Sequence, residues 1–379
     1  LMAEDIPGEN NVGVSRHDEP LFAAGEVQFH GHLVALVVGE SIAACRAAAA
    51  QVEVEYEPLP AVLSLNEAVA QDCFHNPVRV IQRGDPAAVL IAAPRRIAGE
   101  FEFGGQEHFY LETQAARAEF GDDGSISIAS STQHPSEIQA IVSELLHLPR
   151  NKIVVHAPRM GGGFGGKETQ GNTAAALVAL AAWKTGRAVR LQWDRDLDMI
   201  LTGKRHPFRA NFEACCDDDG RIQAAQIDLI SNGGWSLDLS QPVLERAMFH
   251  VDNAYYIPAL RVTGRVARTH LVSNTAFRGF GGPQGMLVME EIMDRIARKL
   301  GLPPEVVRER NLYQGAGESH RTHYGEDIGD ARLQELWQRS RALAGWDQRR
   351  AEVAERGKRE GLDGMTVGAL CIAREPRIA

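Results

Sequence analysis

The chain has 379 residues, of which 44% are hydrophobic, 24% charged and 6% aromatic, with a formal charge of −10. That length allows two or three domains with a substantial core, and the composition is ordinary for a globular protein. The acidic balance, with no lysine- and arginine-rich stripe, argues against nucleic acid as a partner, and even the most apolar run, "AAALVALAAW", is broken by Lys184 and Gly186 before reaching the roughly 20 residues that a membrane-spanning helix needs.

In chain order, "HLVALVVGESIAACRAAAAQVEVEYEPLP" reads as strand, helix, strand. An apolar run from His32 to Val38 precedes an alanine-rich stretch with Ser41 as N-cap, and Val52, Val54 and Tyr56 then alternate with Glu53 and Glu55. Pro58 and Pro60 close this unit, a short helical pattern follows at "LNEAVAQ", and a domain boundary is expected near residue 65. Beyond it, "VRVIQRGD" reads as a strand, and hairpins are expected at "FGDDGSISI" and "CCDDDGRIQAAQIDLI". Helices are predicted at "HPSEIQAIVSELLHL" with Pro135 in its first turn, at "NTAAALVALAAWKTG" ending on Gly186, and from Pro283 to Gly301. In the last of these Met286, Met289, Ile292, Met293, Ile296 and Leu300 form a core-facing stripe. The charged stretch "DQRRAEVAERGKREG" reads as a solvated helix, and no internal repeat is visible. Strands and helices mix without strict alternation, which indicates an α+β fold.

Five cysteines, Cys45, Cys73, Cys215, Cys216 and Cys371, are scattered without C-x-x-C spacing, and no secretory leader opens the chain, so a reducing cytoplasm is expected. Cys215 and Cys216 are neighbours on a strand and point to opposite faces, which favours packing over a redox switch. Both ends are expected to be cuts through a longer polypeptide, because "LMAEDIPGENN" lacks an initiator-like start and "LCIAREPRIA" ends without a terminal helix or polar tail.

The segment "RMGGGFGGKETQ", residues 159 to 170, sets five glycines around Phe164 and ends in Lys167 and Glu168. Gly161, Gly163 and Gly166 satisfy the dinucleotide pattern G-x-G-x-x-G, but "HAPRM" separates them from the strand "KIVV", and Phe164 stands where pyrophosphate would approach the backbone. The phosphate-loop pattern fails as well, since Glu168 follows Lys167 where a Ser or Thr is required. What remains is a loop ahead of a helix whose bare backbone can touch a ligand, with one aromatic ring projecting from it. The same grammar returns in "SNTAFRGFGGPQG", residues 273 to 285, with Arg278 and two phenylalanines, and the two loops are expected to face one cleft. "GGQEHFYLET" brings Gln106, Glu107 and His108 into a strand-like run; without H-E-x-x-H or a His/Cys cluster, His108 reads as a satisfied core histidine.

Taken together, "GGQEHFYLET", "STQHPSEIQ", "RMGGGFGGKE", "TGKRHPF" and "SNTAFRGFGGPQG", in this order, resemble the molybdenum-binding subunits of the xanthine oxidase family of molybdenum hydroxylases, xanthine dehydrogenases in particular. The N-terminal stretch is similar to that family's small α/β hammerhead domain, and the likeness runs to about residue 371. The resemblance implies residues 1–65 as a hammerhead domain and 66–379 as the first part of a molybdopterin-binding domain of aldehyde oxidase/xanthine dehydrogenase type. It implies molybdenum held by a pterin dithiolene with no side-chain ligand, beside Gln133, Gly163, Phe164 and Gly165. Glu168 and Arg278 match the charged substrate contacts of xanthine dehydrogenases.

The implied chemistry is attack of a metal-bound hydroxide on a purine carbon and hydride passage to a sulfido ligand, converting hypoxanthine or xanthine to urate, with electrons leaving through [2Fe-2S] centres and FAD in partner domains or another subunit. No cysteine pattern for such clusters occurs here. The family's general-base glutamate lies in a C-terminal half beyond this chain, which implies a hetero-oligomeric or otherwise completed enzyme and an inactive chain alone. Alternatives are an aldehyde or other N-heterocycle hydroxylase, or a truncated noncatalytic chain.

Overall fold

The computed structural model describes residues 1–314, 317–329 and 332–359; Cys371 and the C-terminal tail lie outside them. Helix α1 (Ile42–Ala49) forms as expected, with the Ser41 hydroxyl accepting from the Ala44 N–H at 3.2 Å. The strands expected on either side of it do not form. Between His32 and Val38 the ladder-like bonds are Ala23 N–H to Leu33 O at 2.7 Å and a reciprocal pair between Leu1 and Leu36 at 2.8 Å. Val52, Val54 and Tyr56 are exposed. Alternation specifies which face a strand buries, but an extended segment becomes a strand only where a neighbour satisfies its backbone along its length.

Helix α2 (Leu65–Ala70) starts on a Ser64/Glu67 capping box and lays Leu65 and Ala68 against Ile230 and Ala267. Strand β1 (Arg79–Arg83), helix α3 (Pro86–Ala92) and strand β2 (Arg96–Phe103) follow. The residues after β2, from Gly104 to Thr113, form an irregular loop in place of the strand-like run, with Phe109 at φ +49. The first expected hairpin is β3 (Ala115–Phe120) and β4 (Ile126–Ser130). Then come α4 (Pro135–Leu146), β5 (Ile153–His156), α5 (Gly171–Thr185), β6 (Val189–Gln192) and α6 (Arg195–Leu201). The second hairpin is β7 (Phe208–Cys216) and β8 (Ile222–Gly234), turning at Asp217–Arg221. The described chain closes with α7 (Ser240–Phe249), β9 (Ala259–Arg268), α8 (Gly282–Leu300), α9 (Pro304–Asn311), α10 (Leu333–Ala344) and α11 (Trp346–Arg359).

Two sheets result. One has the order β1-β9-β8-β7-β2 and the other β5-β4-β3-β6, and each contains one parallel pair, β8 with β9 and β4 with β5. Parallel neighbours need a crossover, supplied by α7 and α4 respectively. Each crossover unit then runs through a glycine-rich loop into a long helix: β4-α4-β5-loop-α5 and β8-α7-β9-loop-α8. Helix α5 is buried almost all round from Gly171 to Ala182, where its alanines admit close packing on β3 and α4. Helix α8 instead buries one stripe, with Val288, Met289, Ile292, Met293 and Ile296 fully enclosed. Val12, Leu21 and Phe22 of the N-terminal stretch are buried in the core of the second sheet. Cys215 packs with Leu90 and Ala224 while Cys216 joins the main core on the other face, and burial pushes both thiols up, so neither is a ready thiolate.

Candidate active site

The two glycine loops follow β5 and β9, at the carboxyl ends of the parallel strands, where open α/β sheets bind ligands. The two loops touch. The Arg278 N–H donates to Phe164 O at 2.8 Å, and the Thr169 and Thr275 hydroxyls are hydrogen-bonded at 3.1 Å. Both loops use the same turn: Gly166 N–H to Gly163 O at 2.8 Å and Gly282 N–H to Gly279 O at 3.0 Å each close a β-turn around a Phe-Gly pair. All four central residues are left-handed, with φ +57 and +98 at Phe164 and Gly165, and +49 and +96 at Phe280 and Gly281. That is the type I′ pattern, and two phenylalanines in it are strained positions. The rings part company. Phe164 is 50% exposed, whereas Phe280 lines an open hollow with Pro242, Phe249, His250 and Tyr324.

The glycines are needed for a reason the sequence did not give. A Cβ on Gly163 would lie 2.5 Å from Gln133 Oε1, one on Gly165 would lie 2.7 Å from Ala276 O, and one on Gly166 would meet the His108 ring at 2.5 Å. The bare backbone is filled mainly by the protein itself, which draws Gln133 and the second loop against Phe164. The start of the helix after the first loop is itself occupied by protein contacts. The first turn of α5 is buried, the Asn172 N–H bonds Thr169 O at 2.9 Å, and Asn172 Nδ2 donates to Glu137 at 2.8 Å.

Gln133 lies in the turn from β4 to α4. Its Oε1 accepts from the Gly165 N–H at 2.9 Å and the Lys167 N–H at 3.3 Å, and its own N–H donates to Lys167 O at 2.7 Å. Two backbone donors fix which end of the amide is oxygen. The Nε2 group of this exposed residue is therefore left, without a protein partner among the described residues, as a donor for something else.

Three groups under the loops hold them in place and were not singled out from the sequence. Lys167 is fully buried: its Nζ donates to Ser131 Oγ at 2.8 Å and Glu112 Oε2 at 3.2 Å and lies 4.7 Å from the Tyr110 ring centre. Burial lowers its pKa against the pull of Glu112. Burial in turn raises Glu112, but hydrogen bonds from Ser131 and the Gly161 N–H, together with Lys167, outweigh this and hold it low. Arg205, in the quoted "TGKRHPF", clamps the second loop, with Nη2 donating to Arg278 O at 2.9 Å, Nε to Gln106 Oε1 at 2.6 Å, and the guanidinium 3.9 Å from the Phe277 ring centre. Asp238, in the turn from β8 to α7, is 1% exposed and accepts from Gln170 Nε2 at 3.3 Å. His108 is a core histidine as expected but only half satisfied: Nε2 donates to Ala276 O at 2.7 Å, Nδ1 is buried without a hydrogen-bond partner among the described residues, and burial lowers its pKa.

Of the sequence-predicted site residues, Gln133, Gly163, Phe164 and Gly165 form one contact set, and Arg278 joins it through its backbone. Glu168 is half-buried on the same loop, its N–H bonding Gly165 O at 3.3 Å, and Arg278 is exposed. Neither makes an ion pair among the described residues. The one metal-type grouping of His, Cys, Asp and Glu among these residues is the exposed surface trio Glu9, His17 and Glu144, which contains none of the predicted site residues.

A free amide donor, a projecting aromatic ring and an unpaired guanidinium at the junction of two crossover units define a cofactor-cradling α+β scaffold, distinct from the dinucleotide fold the glycine pattern first suggested. Residues 70–312 match the family described as "Molybdopterin cofactor-binding domain", and residues 1–60 match "Aldehyde oxidase and xanthine dehydrogenase, a/b hammerhead domain". The chain belongs to the molybdenum hydroxylase family of xanthine dehydrogenase and aldehyde oxidoreductase type. It is 44% identical over 354 residues to the xanthine dehydrogenase/oxidase of Mus musculus, covering 93% of this chain and 26% of that protein. It is 42% identical over 359 residues to xanthine dehydrogenase 1 of Arabidopsis thaliana, covering 94% and 26%. The aldehyde oxidoreductase from Desulfovibrio gigas superposes with a TM-score of 0.87 at 29% identity, over 94% of this chain and 40% of that one. The chain thus spans about a quarter of the length of the curated relatives it matches.

Proposed function

We propose that this chain is the part of a xanthine dehydrogenase that cradles the molybdenum–molybdopterin cofactor and holds a purine beside it, for the oxidation of hypoxanthine or xanthine to urate. The observation that carries the reading is the bond from the Arg278 N–H to Phe164 O, which brings the guanidinium-bearing loop onto the loop of Phe164 and Glu168. Neither Glu168 nor Arg278 is committed to an ion pair among the described residues, as groups reserved for a ligand require. The cofactor, when bound, supplies the two-electron oxidation and the oxygen that is transferred.

This chain's residues do the positioning. Gln133, its oxygen tied to the loop, offers Nε2 to an oxygen on the cofactor, and Phe164 presents its ring over the same space. Arg278 stabilises negative charge developing on the purine carbonyls, and Glu168 accepts from ring N–H groups or shares a proton with a ring nitrogen. Removal of a proton to start the reaction is assigned to a carboxylate outside these 379 residues. Of the acidic groups nearest the site, Glu112 is committed to Lys167 and Glu168 to substrate.

In this reading residues 1–65 and 66–379 are the hammerhead unit and the first part of the molybdopterin unit. A C-terminal half, and [2Fe-2S] and FAD centres on partner domains or subunits, complete the enzyme. An aldehyde or N-heterocycle hydroxylase is the second reading, favoured by the superposition on the Desulfovibrio gigas enzyme. Comparing xanthine with a neutral aldehyde in Arg278→Met holoenzyme separates the two: a loss confined to xanthine supports the purine assignment, and equal losses overturn it. Expression of the 379-residue chain by itself gives no urate on this reading, and turnover from it would place the missing base within the chain.

A further inference from the structure

The turn from β8 to α7, Ser236 to Asp238, touches both loops and the N-terminal stretch. Ser236 Oγ donates to Glu19 Oε2 at 3.1 Å and pairs with Ser273 Oγ, at the start of the second loop, at 2.5 Å. The Leu237 N–H donates to Asp18 Oδ2 at 3.1 Å. Asp238 accepts from Gln170 at the end of the first loop, and the hydroxyls of Thr275 and Thr169, one from each loop, lie against its carboxyl. Its backbone is held left-handed at φ +39, its Oδ1 is buried without a hydrogen bond, and neither Asp238 nor Glu19 makes an ion pair among the described residues. The ionisable groups facing this turn are mostly acidic: Asp18 and Glu19 from the N-terminal stretch, Glu137 from α4, itself paired with His134 at 2.9 Å, and Glu168 from the first loop.

We propose that Asp238 is the positioning residue that keeps the two glycine loops, and with them Glu168 and Arg278, in register, its carboxyl holding Gln170 of the first loop while Ser236 of the same turn holds Ser273 of the second. The proposal rests on the reading of Glu168 and Arg278 as substrate contacts. Asp238 is buried and Glu19 reaches the same turn through Ser236, so ionising both would set like charges against each other across the bracket. Burial pushes Glu19 up to about 8 and Asp238 up to about 7, so the bracket gains negative charge as pH rises through that range. The bracket then loosens as pH rises past that range, and affinity for substrate falls with it.

The test uses the holoenzyme containing this chain, with Asp238→Ala, Asp238→Asn and Glu19→Gln variants, and Arg278→Met as the reference. Expected results are a KM for xanthine raised about tenfold by Asp238→Ala with kcat changed less, and substantial recovery in Asp238→Asn, which retains the acceptor. Glu19→Gln and Asp238→Asn are expected to flatten the alkaline rise of KM. Amide hydrogen exchange at residues 164–168 and 275–281 should quicken in Asp238→Ala and at high pH in the wild type, independently of any activity. If Arg278→Met impairs xanthine oxidation while the Asp238 variants leave exchange, KM and the pH profile untouched, the bracket is wrong and the substrate reading stands. If exchange quickens as expected but Arg278→Met spares xanthine, the bracket stands and the substrate reading is at fault. Should Asp238→Ala fail to fold, an unchanged alkaline limb in Glu19→Gln and Asp238→Asn overturns the role given to these carboxyls in the bracket.

Discussion

The two crossover units of this molecule share a backbone plan and differ in what their turns present. In the first, the turn after β4 carries Gln133 to the surface with a free donor; in the second, the corresponding turn after β8 carries Asp238 into the interior with an unmatched acceptor. Both run on to a Phe-Gly turn of the same hand, yet Phe164 projects outward and Phe280 folds toward α7. In the proposed function the first unit meets the cofactor, while the second braces that loop and lends Arg278 to the substrate. The lesson is that likeness of backbone, here even of φ angles, does not transfer function between loops; the polar residue at the strand end does.

The comparison breaks first at Arg278. If the second loop's one contribution to ligand recognition is that guanidinium, Arg278→Met in the completed enzyme is expected to lose on the order of 2 to 4 kcal/mol of transition-state stabilisation for xanthine, by analogy with a deleted oxyanion donor. The loss for a neutral aldehyde should be much smaller, and kcat/KM for the two substrates measures the difference.

A matched pair of glycine substitutions sharpens it. Gly165 and Gly281 occupy the same left-handed turn position, and a Cβ would lie 2.7 Å from Ala276 O in one case and 2.0 Å from Val243 O in the other. Both alanine variants should be destabilised, by roughly 1 to 3 kcal/mol each in thermal or denaturant unfolding. Only Gly165→Ala is expected to alter cofactor retention as well, because it pushes the second loop away from Phe164 and Gln133. Equal cofactor loss in both would mean the two turns are not divided between ligand and brace. Lys167→Met tests the floor of the first loop. It strands Glu112, which is partly solvated, so a loss of about 1 to 2 kcal/mol in unfolding free energy is expected, below the range for a fully buried pair.

Elements written in one stretch of chain were legible without coordinates. The hairpins at Asp217–Arg221 and Gly121–Ser125, the Gly186 and Gly301 helix ends and the Met289-to-Ile296 stripe depend on neighbours within a few residues. The apolar run around Val34 and the alternation around Val54 are patterns strands use, but pairing is a property of two segments, and the second was not inferable. For the site, the family resemblance marked Gln133, Phe164, Glu168 and Arg278. It gave no warning of Asp238, whose partners are 68 residues away at Gln170 and farther still at Glu19. An Asp in the turn between a strand-like run and a helix, "WSLDLSQ", is ordinarily a cap; here no side-chain cap is made, and that departure becomes visible only once the fold is known.

The smallest effect concerns charge in the brace. A carboxyl whose folded pKa lies above its unfolded value near 4 binds more protons in the folded state between the two values, so stability falls as pH rises through that window. For Glu19, raised to about 8 by burial and by the Asp238 and Asp18 carboxylates, and Asp238, raised to about 7, stability from this pair is complete below pH of about 4 and is lost progressively up to about pH 8. Burial also raises Glu137 in the first turn of α4, just after Gln133, so comparing Glu19→Gln with the wild type isolates the part of the response due to the brace. Glu19→Gln removes one member while keeping an acceptor for Ser236, and is expected to flatten the decline and raise unfolding free energy at pH 8.5 by about 1 kcal/mol relative to the wild type, with little difference at pH 5. Unfolding curves at the two pH values decide it. A variant less stable than the wild type at both would mean that Glu19 is charged and favourably placed in the folded protein, and that the brace holds the loops with an anion.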